Sequence, residues 1–337
     1  MTHRPSLAVG LWTPLCDLLG IEHPVLLAPM AGISGGRLAG AVSQAGGLGI
    51  IGGGYGDRVW LERELANVGA ARFAVGFISW SLARQPELLN IALDRAPCAI
   101  MLSFGQAASF APQIHRANAK LIAQIQSLEQ ARRALAEGAD VIVAQGTEAG
   151  GHGGARSTMP LVPAVVDIAG NIPVVAAGGI GDGRGLAASL MLGAQGVLCG
   201  TAFYVSDEAL VHDNLRRAAI AASGDDTQRG SVFDIARGLD WPADWNLRTL
   251  GNAFSRRWSA DLASLATAIG PERIRYQAAI DRHDPDIAPV IVGEVVDLLT
   301  ARQPAADIVT SMVAESATAL RDGAVMLRQR SSNLGEL

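Results

Sequence analysis

Residues 174–203 read VVAAGGIGDGRGLAASLMLGAQGVLCGTAF. A short apolar run, VVAA, ends in the glycines Gly178 and Gly179. A stretch of helical composition follows, and a second apolar run, VLC, ends in Gly200. The unit is strand, turn, helix, strand, turn. Neither apolar run alternates with polar residues, which is the pattern of parallel strands covered on both faces. The glycines stand immediately after the strands, where the backbone has to turn tightly and can approach a ligand closely.

Working outward, the same rhythm recurs. Apolar runs that read as strands lie at 25–28, 48–51, 73–78, 98–103, 120–125, 141–144, 174–177 and 197–199. Helical stretches are expected at 36–45, 59–68, 87–94, 110–118, 128–137, 160–168 and 185–192. In 128–137, Leu128, Ala131 and Leu135 share a face, and Gly138 stops the helix. Eight such units in about 200 residues fit one α/β domain, a (β/α)8 TIM barrel, with a doubly wound sheet as the competing fold. The barrel is favoured because every unusual turn follows a strand: 29–32, 52–54, 145–154, 178–183 and 200–201. From residue 205 the rhythm breaks, and Trp241, Trp245 and Trp258 fall beyond the break. The expectation is a barrel made of 1–204 with 290–325, and a mostly helical insertion, 205–289, that caps the mouth and forms part of the substrate pocket. Helix resumes at 294–299 and 305–320, where Ile308, Met312, Val313, Ala317 and Leu320 make a packing stripe.

Composition narrows the function. The 337 residues are 49% hydrophobic and 18% charged, against about 25% charged in an average protein, which excludes a disordered chain. A net charge of −5 leaves no basic field for nucleic acid or anionic lipid. No run of about 20 uncharged apolar residues offers a membrane span. Cys16, Cys98 and Cys199 are scattered, with no C-x-x-C, so neither a disulfide framework nor a metal site is expected. The first residues, MTHRPSLAVG, lack a signal-peptide pattern, and a cytoplasmic protein is expected.

Four turns could carry chemistry. The amides of Gly178, Gly179, Gly200 and Thr201 follow the last two strands, where barrels bind phosphate; plain turn glycine is the alternative. The run AQGTEAGGHGG (144–154) holds His152 in a glycine loop at the catalytic face, poised for proton transfer near neutral pH, or else a plain surface histidine. Glu148 in the same loop is expected to bond loop backbone rather than act as a base. The turns at Pro29-Met30 and at 52–54 could lie against a flat ring through backbone atoms. The P-loop and HExxH patterns are absent.

Taken in order, APMAG (28–32), AVSQAGGLGIIGGG (41–54), AQGTEAGGH (144–152), AAGGIGDGRG (176–185) and GTAF (200–203) resemble the nitronate monooxygenase family, FMN-dependent (β/α)8 proteins. The likeness runs from about residue 15 to 205 and resumes weakly at 292–320. Flavin-dependent enoyl-acyl-carrier reductases and NADH:quinone reductases share much of it. The resemblance implies that Ala28, Pro29 and Met30 pack against the flavin ring. Gln124 and Gln145 would lie at its edge, with Gly150 and Gly151 beside them. Gly178, Gly179, Gly200 and Thr201 would hold the FMN phosphate, and His152 would be the base or orient an anion. Two departures stand out: Gly76 where relatives often carry Asn, and Gln124 where some carry Lys. Without that Lys, a reduced flavin would rely on backbone donors or a helix N-terminus.

The activity so implied is oxidation of an alkyl nitronate, or of a nitroalkane after proton abstraction by His152, with O2, through a flavin semiquinone, to a carbonyl compound and nitrite. The alternative is an NAD(P)H-dependent FMN reductase of quinones or enoyl thioesters. A non-redox barrel that binds a sugar phosphate fits the phosphate turns alone. A homodimer through the apolar C-terminal helices could be accommodated.

Overall fold

The computed structural model of the chain describes residues 10–328; residues 1–9, counted above with the barrel, and the tail 329–337 lie outside it. Eight parallel strands form the barrel: β1 Val25–Leu27, β2 Gly49–Gly52, β3 Phe73–Ile78, β4 Ala99–Ser103, β5 Lys120–Ile125, β6 Val141–Gln145, β8 Val174–Ala177 and β9 Gly196–Cys199. A further strand, β7 (Gly151–Gly153), leaves the barrel between β6 and β8. The order is β1-β9-β8-β6-β5-β4-β3-β2. Leu26 pairs with Leu198, and the sheet closes on a single bridge between Leu26 and Leu48. Along that seam the Leu27 amide donates to the Leu48 carbonyl and the Leu48 amide to the Val25 carbonyl, each at 2.9 Å.

Side chains alternate between the two faces of each strand, and both faces are apolar. Leu26, Ile50, Ala74, Ala99, Met101, Ile122, Val141, Val143, Val175 and Leu198 fill the interior. Val25, Leu27, Ile51, Val75, Ile100, Leu121, Ile142 and Val197 face the helices. Leu15 and Leu19 of α1 (Pro14–Leu19) plug the N-terminal end of the barrel. Each such fully buried aliphatic side chain contributes about 1.5–3 kcal/mol, so the bottom half of the barrel is solid core.

The barrel is wrapped by α2 (Gly36–Gln44), α3 (Arg58–Asn67), a single turn α4 (Ser79–Leu82), α5 (Glu87–Leu93), α6 (Ala111–Arg116), α7 (Leu128–Ala136), α8 (Thr158–Ala169) and α9 (Gly183–Met191). After β9 comes the short α10 (Thr201–Tyr204). The last helix, α16 (Ala305–Arg328), returns to pack on α9 and α2, so the sequence distant from the barrel supplies its closing helix. Ile308, Met312, Val313 and Ala317 are its buried stripe; Leu320 is only half-buried. Residues 294–298 form a 3-10 turn rather than α-helix.

The segment after residue 205 is mostly helical, with α11 (Asp213–Ile220), α12 (Val232–Arg237), α13 (Ala253–Trp258), α14 (Leu262–Thr267) and α15 (Ile269–Asp281). It has its own core of Phe233, Leu247, Phe254, Trp258, Leu265 and Tyr276. It also contains two strands the sequence pattern did not reveal, β10 (Thr227–Gly230) and β11 (Asn246–Leu250). Their sequences, TQRG and NLRTL, are short and polar, so no apolar run betrays them. They join β7 in an antiparallel sheet, β10-β11-β7. This sheet ties the segment to the loop after β6.

Candidate active site

The parity of the barrel strands decides what lies above the core. On every strand the next inward position past the interior layer is Ala28, Gly52, Gly76, Ser103, Gln124, Gln145, Ala177 or Gly200, and all eight line one cavity at the C-terminal mouth. Six of these are glycine, alanine or serine, which leaves a low floor. The two glutamines stand on neighbouring strands and form its polar side. The space above it, counting its open mouth, is about 1200 Å³. Every residue singled out from the sequence lines this cavity: Ala28, Pro29, Met30, Gln124, Gln145, Gly150, Gly151, His152, Gly178, Gly179, Gly200 and Thr201.

The turns after β8 and β9 present backbone donors. Among the described residues the amides of Gly178, Gly179, Gly200 and Thr201 have no backbone acceptor. The Thr201 hydroxyl accepts from the Gly293 amide at 2.9 Å, which leaves its own proton to give. Gly178 takes φ +96°, and a Cβ there would stand 2.9 Å from the Gly146 carbonyl oxygen. Unsatisfied amides gathered at one edge of a cavity make a seat for an anionic oxygen group. Glu148 is not part of that seat. Its carboxylate accepts from the Thr158 amide at 2.9 and 3.0 Å and from the Thr158 hydroxyl at 2.8 Å, capping the start of α8.

Gly76 has a steric reason of its own. A Cβ at this position would fall 2.4 Å from the Pro29 ring. Any side chain here, asparagine included, is incompatible with Pro29 where it lies. The glutamines are locked as a chain. The Gln145 side-chain oxygen accepts from Gln124 at 3.0 Å and from Gln126 at 2.8 Å, and its amide donates to the His152 carbonyl at 3.1 Å. Trp245 donates to Gln126 at 3.0 Å.

His152 does not sit in a flexible surface loop. It lies on β7, paired with Leu247 of β11, and is only 7% exposed. Its Nε2 stands 3.0 and 3.1 Å from the two carboxylate oxygens of Asp234, itself buried. The indole of Trp241 stacks on its ring, centroids 3.4 Å apart and planes 8° from parallel. Burial, the largest influence, holds the imidazole below its ordinary pKa. Asp234 pulls it up, and the cations Arg237 and Arg229 push it down. The group is therefore neutral at pH 7. With Nε2–H given to Asp234, Nδ1 is the nitrogen left to accept a proton.

The loop bearing His152 is clamped from behind. Arg229 donates to the carbonyls of Thr147 (2.8 Å), Ala149 (3.1 Å) and Asn246 (2.8 Å), and Arg248 donates to Thr147 at 3.0 Å. Arg248 also pairs with Glu294 at 2.8 Å. Burial lowers the Arg229 pKa to about 10. Tyr55 and Phe104 complete an aromatic wall with Trp241: the Trp241 N–H donates to the Tyr55 hydroxyl at 3.2 Å, and Phe104 meets Trp241 edge-on with centroids 5.0 Å apart. Cys199 borders the cavity, but strand parity turns its side chain toward the helices and burial pushes the thiol up to about 12, so it is no nucleophile. Asp234, Arg237, Trp241 and Tyr55 were not singled out from the sequence; three of them lie beyond residue 205, where the density of tryptophan was the signal available. Among the described residues no group of three or more His, Cys, Asp or Glu could hold a metal ion, and no helix is long and apolar enough to cross a membrane.

The family model for nitronate monooxygenase matches residues 12–75 and 79–315. A Mycobacterium tuberculosis (strain ATCC 25618 / H37Rv) protein, (3aS,4S,5R,7aS)-5-hydroxy-7a-methyl-1-oxo-octahydro-1H-indene-4-carboxyl-CoA dehydrogenase, is 38% identical over 230 residues, 64% of this chain and 62% of that protein. The match thus spans less than two thirds of that relative's length. A probable nitronate monooxygenase of Staphylococcus aureus (strain JH9) is 34% identical over 276 residues, 67% of this chain and 78% of that protein. The structure of FabK from Thermotoga maritima superposes with a TM-score of 0.80 at 29% identity, covering 95% of this chain and 99% of that one.

Proposed function

The chain belongs to the nitronate monooxygenase family, and from that premise we propose that it is an FMN-dependent oxidoreductase acting on a carbon next to a strongly electron-withdrawing group. Alkyl nitronates, or the nitroalkanes they come from, are the substrates, O2 is the oxidant, and a carbonyl compound and nitrite are the products. The observation that carries this reading is the buried His152, held on one nitrogen by Asp234 and facing the same cavity as the free amides of the β8 and β9 turns.

The residues present fit FMN. The unpaired amides of Gly178, Gly179, Gly200 and Thr201 and the Thr201 hydroxyl suit a phosphate, and the low floor of Ala28, Gly52 and Gly76 suits a flat ring. Gln124 and Gln145 would meet the polar edge of that ring, with Pro29, Met30, Gly150 and Gly151 around it. The flavin would supply the electron acceptor and the route to O2. The protein's part is proton control. His152 takes the α-proton of a neutral nitroalkane on Nδ1, while Asp234 fixes the tautomer and stabilises the imidazolium that forms. Trp241 and the aromatic wall keep water from the acceptor nitrogen.

A second reading is oxidation or reduction of an acyl thioester at the carbons beside its carbonyl. It is favoured by the CoA-thioester dehydrogenase named for the Mycobacterium relative. The same base would serve, since a thioester α-proton is also a carbon acid. The two readings separate on anaerobic mixing of the purified yellow holoenzyme with propane-1-nitronate, NADH and NADPH, followed by flavin absorbance. Bleaching by the nitronate alone supports the monooxygenase. Rapid bleaching by a nicotinamide, with none by nitronate, makes the protein a reductase. A colourless protein that takes up no FMN overturns both.

A further inference from the structure

Arg237 ends α12 and lines the cavity with His152, Tyr55 and Trp241. Among the described residues it is the cavity's one lining side chain of fixed charge, in walls otherwise apolar, aromatic or neutral-polar. Its guanidinium carbon lies 5.0 Å from the centroid of the Tyr55 ring, a cation–π contact that sets its position. The Tyr55 hydroxyl is its polar neighbour. Among the described residues no carboxylate comes within ion-pair distance of it. Asp234, three residues earlier on the same helix, spends both oxygens on His152. The neighbouring arginines are otherwise committed: Arg229 and Arg248 to loop carbonyls, and Arg273 to the Ala236 carbonyl. Half-buried, Arg237 therefore holds a planar fork of donors beside an apolar cavity with no carboxylate to receive them, an arrangement that a ligand anion would complete.

We propose that Arg237 is the substrate's anion anchor, its guanidinium receiving the two oxygens of a planar oxyanion side by side. A nitronate and a carboxylate share that shape and charge, and both match the fork of an arginine. Bound there, the oxyanion lies next to His152, with its α-carbon toward the base and its chain along the Tyr55–Trp241 wall. The positive charge also favours the anion over its neutral acid, which draws the α-proton toward His152. The inference rests on the cavity being the reaction site but not on nitronate being the natural substrate.

The test uses the holoenzyme and three forms of residue 237: wild type, Arg237→Gln and Arg237→Lys. Calorimetric titration with butyrate, and with uncharged butyramide as its isostere, is read beside steady-state turnover of propane-1-nitronate. Thermal unfolding checks that each variant is folded, and Arg237→Lys, which keeps the charge, carries the test should Arg237→Gln not fold. Butyrate should bind the wild type and weaken about 10- to 100-fold in Arg237→Gln, the loss expected of a charged hydrogen-bonded pair. Arg237→Lys should recover part of it, and butyramide should bind all three alike. Nitronate KM should rise in Arg237→Gln with a smaller change in kcat. Equal butyrate binding by wild type and Arg237→Gln, or none by the wild type, overturns the anchor. Arg237-dependent butyrate binding without nitronate turnover keeps the anchor and points to a carboxylate-bearing substrate. Nitronate turnover with KM unchanged in Arg237→Gln keeps the monooxygenase and removes the anchor.

Discussion

Asp234 reaches the Nε2 of His152 with both carboxylate oxygens, at 3.0 and 3.1 Å, from a helix of the segment that follows the last barrel strand. The strand after β6 thus presents the histidine, and the segment after β9 decides which of its ring nitrogens is left free.

Replacing His152 with alanine should lower turnover of a neutral nitroalkane by about 10²–10⁴-fold. Turnover of the preformed nitronate, which has no proton to lose, should fall far less. FMN content, read from the absorbance of the purified protein, should be unchanged. Equal loss on both substrates would show that the residue orients the anion rather than removing a proton.

Asp234→Asn should act on pH as well as on rate. The wild-type imidazole is held below its ordinary value by burial, with Asp234 pulling the other way. Without the carboxylate the pKa drops further, so the acidic limb of kcat/KM should move to lower pH. The plateau rate should fall by about 10²–10⁴-fold because the tautomer is no longer fixed. A limb that moves to higher pH would mean that another group titrates.

Gly178→Ala places a Cβ 2.9 Å from the Gly146 carbonyl oxygen at φ +96°. Backbone strain of this kind costs about 1–3 kcal/mol. The variant should melt a few degrees lower and retain less FMN after dialysis. Unchanged FMN retention would remove this turn from the phosphate seat.

Arg229→Gln should loosen the loop that carries His152. Its guanidinium satisfies the carbonyls of Thr147, Ala149 and Asn246. Leaving such groups unpaired costs about 1–3 kcal/mol each. A lower Tm, faster amide exchange at 147–153 and reduced kcat should appear together. A drop in Tm alone would confine Arg229 to stability.

The barrel and its cavity were legible because they follow from local pattern. Non-alternating apolar runs mark strands buried on both faces, and strand parity then carries Gln124, Gln145 and Gly200 inward. Strand ends were read to within about a residue, β2 beginning at Gly49 rather than Leu48. What escaped depends on contacts between distant segments. Thr227–Gly230 and Asn246–Leu250 are strands because they pair with each other, and Asn246–Leu250 also with β7. His152 looked mobile among its glycines, yet Leu247 and Asp234, neither near it in sequence, bury it. Arg237 looked like any charged residue ending a helix until Tyr55 and the cavity were beside it.

The seam between β1 and β2 bears on how the chain is made. β1 finds its full ladder only with β9, through Leu26 and Leu198, and touches β2 through one bridge. During synthesis on a ribosome the first strand must wait for the last before the ring can shut. Until then the nascent sheet stays open at both edges, and its apolar inner face is exposed to whatever chaperone or neighbour is at hand.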